Sequence, residues 1–254
     1  MSAAALENFD RLCVHTITTR PWSIEEILQR YPAAGVKGIS VWRYSLEKRD
    51  PARIGAQIRQ AGMSLVSLVR GGFFCAPGAS ERQQALDTNR QAIRTSLAQI
   101  QAGLEAILPY AESCGVRLAV EPLHPMYADS RSAVATLKTA NDLVEGFGSP
   151  WLGVAVDVFH VWWDPDLEEQ IRRSGRQGTL FAFHLCDWKT GMEDMLNDRG
   201  LMGEGIIRLR EIRGWVEEAG FAGFNEVEIF SQRWWERDQG EFLEQIKQAY
   251  RRCA

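Results

Sequence analysis

The chain has 254 residues, 45% of them hydrophobic and 24% charged, the composition of an ordinary globular protein with one large domain or two small ones. Its net charge of −4 argues against a nucleic-acid binder, which carries a basic face. No run approaches the ~18 uncharged apolar residues of a spanning helix, so no membrane partner is expected.

The opening stretch MSAAALENFDRLC carries Glu7 and Asp10 and no basic leader, so no signal peptide is expected and the location is read as cytoplasmic. The cysteines Cys13, Cys75, Cys114, Cys186 and Cys253 are scattered without a CxxC pair, which fits a reduced chain with buried thiols. The length also matches one eight-fold β/α barrel, typically about 250 residues.

Short β-branched runs alternate with helical patterns along the chain, the signature of βαβ units and a parallel sheet. The first predicted strands are LCVHTIT (12–18), GVKGISVW (35–42) and SLVSLVR (64–70), separated by the helical stretches SIEEILQRYPAAG and DPARIGAQIRQAG. VRLAVEPL (116–123), WLGVAVDVF (151–159), TLFAFHLC (179–186) and FNEVEIF (224–230) follow. Most are near-continuous apolar runs, as parallel strands covered on both faces require. An Ala-Gly pair precedes three of the junctions, at 34–36, 61–63 and 219–221, where a helix stops before a strand.

One interval breaks this rhythm. Forty-five residues separate Arg70 from Val116, against roughly 31 for an eighth of a typical barrel. No strand-like run lies between them, and Leu86, Ile93, Leu97, Ile100, Leu104 and Leu108 keep helical spacing. Gly103 and Pro109 are the natural places for that helix to break. The expected fold is therefore a single α/β TIM-type barrel domain over 1–254, with seven strands and a fused helical crossover at 80–114.

In parallel β/α folds, functional side chains collect at the carboxyl ends of strands. Glu121, Asp157, His184 and Glu228 fall at or near those ends on four successive predicted strands. Buried carboxylates need cations or a metal beside them. Three carboxylates and an imidazole form a hard set suited to one divalent ion, Mn²⁺, Mg²⁺ or Co²⁺, while Zn²⁺ would usually draw more nitrogen or sulfur. A lone acid at a strand end is otherwise a helix N-cap or half of a salt bridge. His15, His124 and His160 also fall at predicted strand ends and point to a polar pocket on one face.

At EPLHPMY (121–127), DVFHVWWDP (157–165), HLCDW (184–188), DRGLMGEG (198–205) and VEIFS (227–231), the chain resembles the xylose isomerase-like barrel superfamily. The likeness runs from about residue 10 to 250 and is nearest the sugar phosphate isomerase/epimerase proteins, relatives of D-tagatose 3-epimerase and inosose dehydratase. It implies that Glu121, Asp157, His184 and Glu228 bind one divalent cation. Glu121 and Glu228 would then carry protons on opposite sides of a small carbohydrate or cyclitol substrate. His160 and Arg199 match residues that hold substrate oxygens. The implied activity is isomerisation or epimerisation through proton removal beside a carbonyl.

Two departures from the family pattern stand out. An acid usually follows the first ligand to grip a ketose, but His124-Pro125-Met126-Tyr127 stands there, with no acid before Asp129. That leaves His124 as a substrate contact or an alternative base, and keeps open a lyase of the same fold, either a keto-cyclitol dehydratase or a C-glycoside-cleaving enzyme. The family's fourth strand is also missing, so a degenerate, non-catalytic barrel or a homo-oligomer is a further alternative. Apurinic-site DNA cleavage needs more histidines than the four present.

Trp42, Trp162, Trp163 and Trp188 follow strand ends and either stack on a sugar or pack loops. Arg70-Gly71-Gly72-Phe73-Phe74 is a turn or a substrate approach. Trp234 and Trp235 fit a lid or a subunit contact, and Arg172-Arg173-Ser174-Gly175-Arg176 a solvated helix end. The loop Asp187–Gly205 is long enough to cover a site.

Overall fold

In the computed structural model of the chain, which describes residues 3–69, 82–128 and 131–254, with the backbone alone at 82–96, parallel strands alternate with helices. Leu12–His15 is β1, Ile24–Ala33 α1, Gly38–Trp42 β2, Pro51–Gln60 α2, Ser64–Val69 β3 and Arg82–Ser113 α3. Leu118–Val120 is β4, Leu137–Phe147 α4, Leu152–Asp157 β5, Val158–Val161 α5, Leu167–Gln177 α6 and Leu180–Leu185 β6. Leu209–Glu218 is α7, Asn225–Val227 β7, Gln232–Trp235 α8 and Gln239–Cys253 α9. This is an α/β, TIM-type fold with seven strands among the described residues. The predicted stretch Arg70–Phe74, together with Cys75 and Asp129, lies outside those residues.

The chain divides into two compact units, residues 1–70 with 182–217 and 222–254, and residues 71–181 with 218–221. In the first, the strand order is β3-β2-β1-β7-β6. Cys13 pairs with Gly38 on one side and Glu226 on the other, and His184 pairs with Glu226. In the second unit β4 pairs with β5, Leu118 opposite Leu152. Every residue of β1 and of β5 is buried, as expected where helices cover both faces of a strand.

Local chemistry sets the boundaries. Ser23 caps α1 by accepting from the Glu26 N–H at 3.2 Å, and the Glu26 carboxylate accepts in return from the Ser23 N–H at 2.9 Å. At the three Ala-Gly junctions, Gly35, Gly62 and Gly220 take φ of 81°, 71° and 89°, a left-handed turn that suits glycine.

The long crossover is one uninterrupted helix, and the predicted breaks at Gly103 and Pro109 do not occur. Its 32 residues span about 48 Å. Ile100, Leu104, Leu108 and Ala111 are buried at helical spacing around both sites. Burying a leucine or isoleucine contributes about 1.5–3 kcal/mol each. That outweighs the ~1 kcal/mol cost of a helical glycine and offsets the hydrogen bond that Pro109 withholds from the Glu105 carbonyl.

Two further expectations are corrected. The strand predicted at 116–123 is only Leu118–Val120, because Val116 is 52% exposed and the chain leaves extended pairing at Glu121. Cys13 and Cys186 are buried as thiols, whereas Cys114 is exposed and Cys253 intermediate. The loop at 121–150 holds a short 3-10 turn at Pro125–Tyr127 and then α4. No described helix is long and apolar enough to cross a membrane.

Gly153 shows how closely β5 is packed. The Val154 N–H donates to the Thr179 carbonyl at 2.8 Å, just before β6. A Cβ at Gly153 would meet that carbonyl oxygen and lie 2.6 Å from the Phe181 ring. Gly153→Ala should therefore lower stability by about 1–3 kcal/mol, read as a lower urea midpoint with an unchanged slope. An unchanged midpoint would show that this packing yields freely.

Candidate functional site

In the first unit the site begins with two adjacent strands. His184 sits in β6, and Glu228 follows β7 directly, its N–H donating to the Leu185 carbonyl at 3.0 Å. Both side chains are buried, and each offers a ligand atom within 4.8 Å of the other. Glu226, two residues before Glu228, shares its face of the strand, because side chains alternate. His15 at the end of β1 lies against both acids, its Nε2 3.0 Å from Glu226 Oε2 and its Nδ1 2.9 Å from Glu228 Oε1. The His15 and His184 rings meet edge-on, 4.9 Å apart.

The remaining donors come from β2, β3 and the loop after β6. Ser67 Oγ donates to Glu226 Oε2 at 2.9 Å, and Ser40 Oγ donates to the same oxygen. Arg199 Nη1 donates to Glu228 Oε2 at 3.0 Å, with its guanidinium over the Phe230 ring. Trp42 Nε1 donates to Glu228 Oε1 at 3.2 Å, and its ring stands edge-on to Phe230.

These contacts set the charges. Burial works against an ionised Glu226, but His184 and His15 outweigh it and bring the carboxyl down to about 2. Burial likewise opposes ionisation of Glu228, and His15, Arg199 and His184 hold it well below the ordinary carboxylate range. Burial alone would lower the His15 value, yet Glu228 and Glu226 raise it. With a carboxylate on each ring nitrogen, His15 is placed to donate from both. The Trp42 N–H, also 3.3 Å from His15 Nδ1, is then directed to Glu228.

In the second unit, Asp157 ends β5 and Glu121 follows β4. Their carboxylates each offer an oxygen within 4.8 Å of the other. Asp157 is fully buried, and its Oδ1 accepts from the Phe159 N–H at 2.9 Å, capping α5. His160 Nε2 lies 3.7 Å from Asp157 Oδ2, and His160 Nδ1 accepts from the His124 N–H at 3.2 Å. His124 Nδ1 in turn accepts from the Met126 N–H at 3.2 Å, so the neutral ring carries its proton on Nε2. Burial holds the His124 value below the ordinary histidine range. Its ring stands edge-on to Trp163, whose Nε1 donates to the His160 carbonyl at 2.8 Å.

Thus the first unit brings together His184, Glu228, Arg199 and Trp42, and the second brings together Glu121, Asp157, His124 and His160. Among the other tryptophans, Trp235 Nε1 donates to the Ile17 carbonyl at 2.8 Å, and Trp234 stacks on Phe242. Around Arg172-Arg173-Ser174-Gly175-Arg176, Arg173 pairs with Glu145 and Asp142, so that helix end is a surface ion-pair cluster.

Sequence reasoning passed over Glu226, Ser40 and Ser67, and also Asp187. The Glu-x-Glu spacing at 226–228 was the available signal, since period two places both acids on one face. Asp187 reads as one acid in a charged loop, yet it is buried and its carboxylate accepts three backbone N–H groups. They come from Trp188 at 2.8 Å, Gly203 at 2.9 Å and Ile207 at 3.0 Å. Burial raises its pKa, partly offset by these bonds. Backbone bonds pair Asp187 with Gly200 in both directions at 2.9 Å, and the Arg199 N–H donates to the Phe230 carbonyl at 2.8 Å. The loop is thereby tied down where it carries Arg199 to Glu228.

The xylose isomerase-like TIM barrel family model matches residues 94–251, and the chain belongs to that family. A crystal structure of a protein from Sinorhizobium meliloti 1021 is 39% identical, covers 97% of this chain and 99% of its own, and superposes with a TM-score of 0.88. D-psicose 3-epimerase from Clostridium cellulolyticum H10, solved with D-tagatose, is 14% identical over 94% of this chain and 96% of its own, with a TM-score of 0.71. An IolI protein with a bound zinc atom is 17% identical over 94% and 96%, with a TM-score of 0.65. The last two likenesses concern the fold. No curated protein matches this chain.

Asp187→Asn would replace one acceptor oxygen with an amide donor facing backbone N–H groups. We expect faster hydrogen exchange at Gly203 and Ile207 and a stability loss of about 1–3 kcal/mol. Unchanged protection at both amides would contradict this role.

Proposed function

We propose that the chain is a divalent-metal-dependent isomerase or epimerase that abstracts a proton beside the carbonyl of a sugar, sugar phosphate or cyclitol. The observation that carries this reading is the paired donors: Glu121 with Asp157, and His184 with Glu228, each pair within 4.8 Å at the carboxyl ends of strands. Family membership supports it, and so do the neighbours whose names record a sugar epimerase and a bound zinc atom.

The donor chemistry fits a divalent cation, three hard carboxylates and one imidazole; Mn²⁺ suits this set best, and Mg²⁺, Co²⁺ or Zn²⁺ are the other candidates. When bound, the ion would supply positive charge against the charge developing on the substrate's oxygens. Glu121 and Glu228 are the proton carriers on opposite faces of the substrate carbon. Arg199 donates to the Glu228 oxygen Oε2 and helps keep that carboxylate ionised. His124 presents Nε2–H as a donor to a substrate oxygen, because its Nδ1 lone pair already accepts the Met126 N–H. His160 is held between His124 and Asp157 and serves the same end of the substrate.

The second reading is a lyase of the same fold, favoured by one observation: His124 stands in HPMY, where the ketose-gripping acid of the epimerases would be. Expelling a β-hydroxyl or a glycosidic group would use the same proton abstraction.

The test is elemental analysis of the purified protein, followed by solvent deuterium incorporation into a panel of ketoses and keto-cyclitols. We expect about one divalent ion per chain, lost in Asp157→Asn, and deuterium at the carbon beside the carbonyl. Glu121→Gln and Glu228→Gln should each slow incorporation by at least ~10²-fold. A native protein without divalent metal would contradict the proposal, and metal with elimination products would support the lyase instead.

A further inference from the structure

Between Glu226 in β7 and Glu228 just after it lies a group that the proposed chemistry does not use. Among the described residues the His15 side chain meets Trp42 and the His184 ring, and both its ring nitrogens are committed to carboxylates. The strand register places it there: Cys13 is opposite Glu226 and Val14 opposite Val227, which carries His15 alongside Glu228 on the same face. Glu226 is itself fixed, since a single oxygen, Oε2, faces Ser40, Ser67 and His15. The result is a chain of hydrogen bonds running from buried Ser40 and half-buried Ser67, through Glu226 and His15, to Glu228.

We propose that His15, anchored by Glu226, is a positioning residue that sets the orientation of the Glu228 carboxylate. This rests on the reading above, in which Glu228 is a metal ligand and proton carrier. Arg199 holds Glu228 Oε2 at 3.0 Å, and the Trp42 N–H reaches Oε1 only at 3.2 Å from an indole that also lies 3.3 Å from His15 Nδ1. His15 Nδ1 at 2.9 Å holds the other oxygen. With both oxygens fixed, the lone pair offered to a cation points one way, and partners of this kind typically change metal affinity by about 10–100-fold.

The rival reading uses the same residues differently. His15, His184 and Glu226 also offer ligand atoms within 4.8 Å of one another and could form a separate cation site. We disfavour it because both His15 ring nitrogens already face carboxylates as donors, which leaves no ring lone pair for a cation.

Mn²⁺ titration of chelator-stripped protein tests the proposal without a substrate. An asparagine amide takes the place of imidazole Nδ1, and a glutamine amide takes the place of Nε2. His15→Asn should therefore keep the Glu228 contact and bind Mn²⁺ within about threefold of the parent. His15→Gln loses that contact and should weaken binding by about 10–100-fold. Glu226→Gln, which leaves His15 in place but loosens its anchor, should weaken binding in the same direction and guards against misfolding of the His15 variants. Melting of the metal-free proteins checks that the differences are not general destabilisation. Equal Mn²⁺ affinity in His15→Gln and the parent, or equal weakening in His15→Gln and His15→Asn with lowered melting, would overturn the proposal. Two Mn²⁺ ions per chain, one of them lost in His15→Asn, would establish the rival site instead. Absence of Mn²⁺ binding by the unmodified protein would overturn the metal reading itself, and this inference with it.

Discussion

Ionised carboxylates buried away from water must be surrounded by positive charge and hydrogen-bond donors, and much of this structure follows from meeting that demand around β7. Glu226 and Glu228 are almost completely buried, two residues apart on one face. The donors that keep them ionised come from β1, β2, β3 and the loop after β6: His15, Ser40, Trp42, Ser67 and Arg199. Leaving either acid without these partners would cost several kcal/mol, which constrains the sequence of several elements at once. The loop that delivers Arg199 is held by a third buried acid, Asp187, through its own N–H donors.

Asp157 is handled differently. Its carboxylate caps a helix of four residues and lies near His160, so backbone dipoles do part of the work that side chains do around Glu228. The helix-capping reading and the ligand reading of this residue are therefore compatible: Oδ1 caps, and the carboxylate still offers an oxygen within 4.8 Å of Glu121. The Glu226–His15–Glu228 arrangement is read from the contacts themselves.

Much of the fold was legible in the sequence because parallel strands leave a strong signal. The buried runs of β1 and β5 stand out as continuous apolar segments, and the Ala-Gly pairs mark helix ends with a turn that suits glycine. The long crossover was legible too, but its continuity was not. Gly103 and Pro109 are local breakers, and only the tertiary burial of Ile100, Leu104 and Leu108 overrides them. The short β4 was overextended because Val116 is apolar yet exposed, a distinction that composition does not carry.

The site was legible in its ligand candidates, where an acid or histidine interrupts an apolar strand, and illegible in what surrounds them. Ser40 and Ser67 are ordinary strand residues until register brings them to Glu226. Crystallography of Mn²⁺-loaded protein with anomalous scattering tests whether these buried acids serve a cation. One anomalous peak per chain is expected, bonded to Glu121, Asp157, His184 and Glu228, with His15 still bridging Glu226 and Glu228. A peak ligated by His15 and Glu226, or no peak at saturating Mn²⁺, would contradict it.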